Sequence, residues 1–125
     1  MIEPALLLQR ILNCLPQYGY LMSDELELQQ GIGEVLTRHE IPYVREFQIT
    51  AADRFDFWCD DSVVIEAKCE GSMSQCLRQV DRYCALVSVK AVVIAAPLSW
   101  TRSQHQEIVL RGKPVRLVTV RRRSF

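Results

Sequence analysis

Histidine is scarce in this chain: His39 and His105 are the only two among 125 residues, and neither belongs to a ligand-spaced set of the kind zinc requires. The five cysteines, at positions 14, 59, 69, 76 and 84, are odd in number and form no C-x-x-C pair, which argues against a disulfide framework and a zinc ribbon alike. Cys76 and Cys84 fall in a helical segment and are expected to pack there as small apolar groups in a reducing compartment. No run approaches the roughly eighteen apolar residues that a membrane span needs. The start of the chain has the short apolar run Ala5 to Leu8, but it carries Glu3 and Arg10 and shows neither a basic leader nor a small-residue cleavage site. A soluble, cytoplasmic protein is the expectation. Net charge is also missing, since 15 Lys and Arg balance 15 Asp and Glu, and taken alone this argues against a nucleic-acid partner.

The distribution of charge reverses that inference. Residues 1–98 carry eight basic against fourteen acidic side chains, whereas residues 99–125 carry seven against one. The C-terminal quarter is thus a basic surface, in which Arg102, Arg111, Lys113, Arg116 and the run Arg121, Arg122, Arg123 are candidates for neutralising phosphates. A solvated tail that merely keeps an acidic protein in solution is the other reading of Arg121 to Arg123. At 49% hydrophobic, residues 1–125 supply enough apolar material for one domain with a substantial core.

Hydrophobic periodicity outlines the scaffold. Residues 3–14 predict a short helix stopped by Pro16, followed by a turn at Tyr18-Gly19-Tyr20. Ser23 or Asp24 caps a second helix to about His39, with Leu21, Leu28, Ile32, Val35 and Leu36 as its apolar stripe. Glu25 lies in line with that stripe, while Glu27 and Glu34 project away from it. Three strands follow, near Tyr43 to Ile49, Arg54 to Trp58 and Val63 to Lys68, as an antiparallel meander. Gly71-Ser72 opens a helix to about Leu86, and Lys90 to Ala96 has the uninterrupted apolar pattern of a strand covered on both faces, pairing parallel to the meander. A helix near Ser103 to Leu110, a turn at Gly112 to Pro114 and a last strand from Val115 to Val120 complete the pattern.

Charge placed inside this apolar scaffold is the strongest signal. Asp56 interrupts Arg54-Phe-Asp-Phe-Trp58, and Glu66 and Lys68 close the next run. Buried carboxylates and amines lose hydration, a loss tolerated where a metal, a partner charge or a substrate compensates it. A tight turn at Asp60 to Ser62 lets the two strands pair back, bringing Asp56 towards Glu66. Glu66 and Lys68, two apart, share one face, with the Ala67 carbonyl between them. Such oxygens suit a hard divalent cation. A plain salt bridge between Lys68 and one acid is the structural alternative.

An acid, a spacer and then acid-x-Lys resembles the signature of the PD-(D/E)XK nuclease superfamily. Gln79-Val-Asp-Arg-Tyr83 resembles the Gln-x-x-x-Tyr motif of its RecB-like branch, and Ile41 to Glu46 and Glu25-x-x-Leu28-Gln29 look like segments of its small phage-type members. The resemblance spans about Asp24 to Ala96. It implies an α/β, restriction-endonuclease-like αβββαβ core, a mixed sheet flanked by helices, with an extra N-terminal helix and a C-terminal helix-strand extension. It also implies a Mg2+- or Mn2+-dependent deoxyribonuclease acting in phage or bacterial DNA processing, repair or recombination. Asp56, Glu66, Lys68 and Gln79 would then be catalytic, and Glu25, Asp56, Glu66 and the Ala67 carbonyl would hold metal. Tyr83, Arg82 and Arg121 to Arg123 would contact DNA. Some RecB-like relatives hold an iron-sulfur cluster through cysteines behind the core, and the lack of any cysteine after Cys84 argues against one here. Family analogy and small size make a homodimer plausible. Trp58 and Trp100 are assigned no binding role. A non-catalytic nucleic-acid-binding protein on the same scaffold, or an acidic-hairpin interaction module, are the competing functions.

Overall fold

A computed structural model describes residues 1–102 and 107–123. Its first helix, α1 (Pro4–Cys14), begins with a proline in the first turn and is capped by the Glu3 carboxylate, which accepts from the Ala5 and Leu6 N–H groups. A 3-10 turn at Leu15–Gln17 leads to the two-residue strand β1 (Gly19–Tyr20) and then to α2 (Glu25–Arg38). Asp24 caps α2 by accepting from Glu27 N–H, and the Glu27 carboxylate accepts in return from Ser23. Strands β2 (Tyr43–Gln48), β3 (Arg54–Cys59) and β4 (Val63–Ala67) form the expected antiparallel meander. Asp60 and Asp61, both at positive φ, make the tight turn between β3 and β4. Helix α3 (Met73–Cys84), capped by Ser72, crosses to β5 (Ala91–Ala96), which runs parallel to β4.

One six-stranded mixed sheet organises the chain, in the order β2-β3-β4-β5-β7-β6, where β6 is Glu107–Leu110 and β7 is Lys113–Thr119. Helices α1 and α2 cover one face, burying Leu7, Ile11, Leu28, Ile32 and Leu36 against Phe57, Ile65 and Val93. Helix α3 covers the other, with Cys76, Val80, Tyr83 and Cys84 against Phe55, Trp58, Val64 and Ile94. Every residue of β5 is buried, as its continuous apolar run requires. Among the described residues no helix is long and apolar enough to cross a membrane.

Four expectations need correction. Leu21 precedes α2 and is 42% exposed, and Met22 takes the buried place beside it. Tyr18 to Tyr20 is no simple turn, because β1 pairs in parallel with β8 (Arg121–Arg122). The helix expected near Ser103 to Leu110 gives way to a shorter α4 (Leu98–Thr101) and to β6; residues 103–106, His105 among them, lie outside the described residues. Ile108 and Leu110 alternate with more exposed neighbours, a two-residue period that suits a strand, and the reversal lies at Arg111-Gly112, both at positive φ, so β7 starts already at Lys113. All five cysteines are free thiols, Cys76 and Cys84 buried as expected.

The close approach of β8 requires Gly19: a Cβ there would lie 2.8 Å from Arg123 Cα. Gly19→Ala should therefore detach β8 while sparing the six-stranded sheet. Hydrogen exchange at the Arg123 amide, which donates to the Tyr20 carbonyl at 2.9 Å, should accelerate strongly with β5 protection unchanged.

Candidate functional site

Regular alternation would put Phe55, Phe57 and Cys59 on one face of β3. Instead Phe57 and Cys59 pack under α1 and α2, and Phe55 joins Trp58 under α3. The phase therefore breaks at Asp56. Strand β2 breaks at the same level: the Arg45 guanidinium stacks over the Phe57 ring, whereas Phe47 stacks on Trp58 across the sheet. Between them Glu46 has φ +52, a conformation that costs a non-glycine residue about 1–3 kcal/mol. Because Arg45 pairs with Phe57 and Phe47 with Phe55, Glu46 and Asp56 oppose each other at the irregularity.

On the other side of β3 the ladder to β4 ends at Phe57 and Ile65, so Asp56 faces Glu66 at the next position. There the carboxylates take over from the backbone. The Asp56 N–H donates to Glu66 Oε2 at 2.9 Å, and the Ala67 N–H donates to Asp56 Oδ2 at 2.8 Å. Two acids that would repel across a sheet are held opposite one another by each satisfying a main-chain donor. Glu66 is 2% exposed. Its Oε1 lies 3.3 Å from the Tyr83 hydroxyl, which donates to the Arg54 carbonyl at 3.0 Å. The same hydroxyl also donates to Glu66 Oε1, so its single proton is shared between the carbonyl and the carboxylate.

Burial, then the neighbouring Asp56 charge, push the Glu66 carboxyl up to about 8, against the opposing pull of the Asp56 amide, Lys68 and Tyr83. Burial also raises Asp56, and Glu25 and Glu46 add to it, while the Ala67 N–H and Lys68 work the other way. Lys68 follows β4, half-buried, its own N–H donating to the Ala95 carbonyl. The two ion pairs among the described residues, Arg82 with Asp53 and Arg111 with Asp81, leave Lys68 outside. The salt-bridge alternative is thus not what this geometry contains.

Glu25, the first residue of α2, accepts from the Cys69 N–H through Oε2 at 3.0 Å, which anchors it beside the end of β4. Glu34 is exposed and meets only Gln30, at 3.4 Å. Gln79 lines a cleft of about 280 Å³ together with Lys68, Gln75, Arg82 and Trp100. Tyr83 departs from expectation: fully buried against Phe55, it positions Glu66 from below and is inaccessible to nucleic acid. Arg82 is exposed but bound to Asp53 at 3.0 Å. Arg121 and Arg122 stand exposed on β8 and line a second cleft, of about 350 Å³, with Ser23, Asp24, Cys69 and Glu70; Arg123 is exposed one residue beyond.

No family model, curated protein or solved structure matches the chain. The functional case therefore rests on its own residues. Among those described, no group of three or more His, Cys, Asp or Glu side chains is arranged to hold a metal ion. A magnesium-type ion asks for less, binding through one or two carboxylates and keeping several waters. Asp56 and Glu66 are two such carboxylates, held opposite each other with Lys68 as the nearby positive charge.

The crossed pair was anticipated from spacing, whereas the contribution of Glu46 was not. Its only sequence trace is a charge in a strand where Phe47 and Phe55 must turn to the same face.

The fold favours protonated Glu66, so the stability it contributes is complete below its ordinary value of 4.5 and is lost as pH rises towards 8. In EDTA, urea denaturation should show stability falling from pH 5 to pH 8, with a limiting slope of about 1.4 kcal/mol per pH unit for one group. Glu66→Gln should flatten that slope. Stability that instead rises with pH in the unmodified protein would refute the assignment.

Proposed function

We propose that the protein is a divalent-metal-dependent nuclease that hydrolyses DNA phosphodiester bonds on a restriction-endonuclease-like scaffold. The observation that carries this reading is the crossed Asp56 and Glu66 pair beside Lys68, which among the described residues forms no ion pair. The order α2-β2-β3-β4-α3-β5, with a parallel β4 and β5, supports it. Fold alone would not, because one architecture serves many chemistries.

Asp56 and Glu66 would hold Mg2+ or Mn2+, with the Ala67 carbonyl and Glu25 as further oxygens at the end of β4. Lewis-acid polarisation of a phosphoryl oxygen and a more acidic attacking water are what such an ion supplies when bound. Lys68 orients that water and balances the negative charge that builds on phosphorus. A water oxygen–phosphorus bond forms, an ester oxygen–phosphorus bond breaks, and the proton lost by the water balances the alkoxide released. Gln79, on the same cleft wall as Lys68, supplies an amide to hydrogen-bond the water or the phosphate. Tyr83 keeps Glu66 in the rotamer that faces Asp56. The basic strand β8 attracts the polyanion, and a homodimer would enlarge the gripping surface.

A non-catalytic DNA-binding protein would have no need of Lys68, which forms no ion pair among the described residues, beside one buried and one half-buried acid. Labelled linear duplex, single-stranded and four-way-junction DNA, incubated with Mg2+, Mn2+ or EDTA, discriminates the two. Cleavage should need the metal and disappear in Asp56→Asn and Lys68→Ala. Removing the hydroxyl in Tyr83→Phe should lower the rate about tenfold or more without abolishing it. Glu25→Gln should cost roughly 10- to 100-fold, and Glu34→Gln should leave the rate near the starting value. Cleavage indifferent to EDTA, or surviving both Asp56→Asn and Lys68→Ala, contradicts the mechanism.

A further inference from the structure

Two clefts lie on either side of one ridge close to the end of β4. The ridge is built from Lys68 to Glu70, just after β4, and from Pro97 to Trp100, just after β5. On one side lies the cleft that contains Arg121 and Arg122. On the other lies the cleft that contains Lys68, Gln75, Gln79 and Trp100. Glu70 lines both, so they share a border three residues beyond the end of β4.

Their chemistry differs. The first offers guanidinium groups, whose backbone is fixed by β1: Gly19 and Tyr20 pair with Arg121 and Arg122, so the two cations are presented by a strand. The second has an aromatic wall. Trp100 is half-buried and set against Gly71, where a Cβ would lie 4.0 Å from Trp100 Cζ2, and Gln75 and Gln79 bring amides to the same cleft. Trp58, by contrast, is 4% exposed and belongs to the core. A side chain with a large apolar ring half in solvent, next to amides and an ammonium, suits a flat heteroaromatic group linked to an anion.

We propose that the two clefts form one track for a single nucleic-acid strand, with phosphates against Arg121 and Arg122 and an unpaired base stacked on Trp100. This inference rests on the nuclease reading and names its substrate class: single-stranded DNA, or the single-stranded arm of a branched molecule. A base can reach Trp100 only when it is free of its complement. The second cleft, about 280 Å³, is large enough for such a base, and stacking on the ring needs a base face that a neighbouring base in a duplex would cover. Arg121 and Arg122 share their cleft with Asp24 and Glu70, so phosphate is held there at the guanidinium groups themselves, while the only aromatic side chain lining either cleft among the described residues, Trp100, belongs to the second.

Binding without cleavage isolates this proposal from the nuclease reading. Fluorescence anisotropy of a labelled oligothymidylate, and of a duplex of the same length, is measured in EDTA over a range of salt. The single strand should bind more tightly than the duplex. Trp100→Ala should weaken single-strand binding by roughly 5- to 150-fold, the range expected for losing one stacked base, without changing the slope of log K against log salt. Trp100→Phe should recover most of the affinity, and Trp100→Leu should not, which separates stacking from a loss of folding. The double variant Arg121→Ala, Arg122→Ala should lower the salt slope by about 1.4. Equal or tighter duplex binding, or a Trp100→Ala variant that binds as before, overturns the proposal even if Mn2+-dependent cleavage is found. Single-strand binding that depends on Trp100 with no cleavage in any metal supports the track and overturns the nuclease.

Discussion

The separation of β3 from β4 at Asp56 and Glu66 is the constraint on which the rest of the site depends. An antiparallel ladder satisfies its N–H groups with carbonyls, and where it ends those donors need other acceptors or water. Here the acceptors are side-chain carboxylates, each bonding the other strand's main chain. The exchange does two things at once. It gives the Asp56 and Ala67 amides their acceptors, and it fixes two carboxyl groups opposite each other, Glu66 buried and Asp56 half-buried. Burial first and the Asp56 charge second raise the proton affinity of Glu66, and the Asp56 amide opposes them.

Several distant features become necessary once that arrangement is accepted. The strained Glu46 conformation and the phase break in β3 are two halves of one adjustment, which turns Phe47 and Phe55 to the α3 face and leaves Asp56 in the gap between strands. Tyr83 sits where it does because Glu66 needs a partner on the α3 side and Arg54 offers a free carbonyl. Even Glu25 belongs to the same economy of donors: the chain leaving β4 exposes the Cys69 N–H, and the first turn of α2 supplies the acceptor.

Periodicity made most of the scaffold legible. The buried strand β5, the stripe of α2 and the hairpin at Asp60-Asp61 all follow from local patterns that tertiary contacts reinforce. The failures have a common physical origin in pairing between segments far apart in the chain. Nothing local in Tyr18 to Tyr20 reveals that Arg121 and Arg122 will pair with it, and β6 is a strand because β7 offers it an edge. At the site, spacing predicted that Asp56 and Glu66 would meet and that Glu25, not Glu34, would join them. It could not predict that Tyr83, read from its motif as a DNA contact, would be entirely buried, because four-residue spacing gives a shared helix face without its depth.

The same long-range pairing links the basic C-terminal quarter to the acids. Had Arg121 and Arg122 remained a solvated tail, their charge would have been averaged over many positions and screened within about 10 Å at 0.1 M salt. Strand pairing with Gly19 and Tyr20 instead holds them beside Cys69 and Glu70, just beyond the end of β4, as fixed positive charge. An almost neutral chain thereby has a local field that its net charge conceals. The acidic majority in residues 1–98 strengthens the contrast between that strand and the rest of the chain. This placement of charge depends on the absence of a side chain at Gly19, because a Cβ there would lie 2.8 Å from Arg123 Cα, too close for β8 to pair.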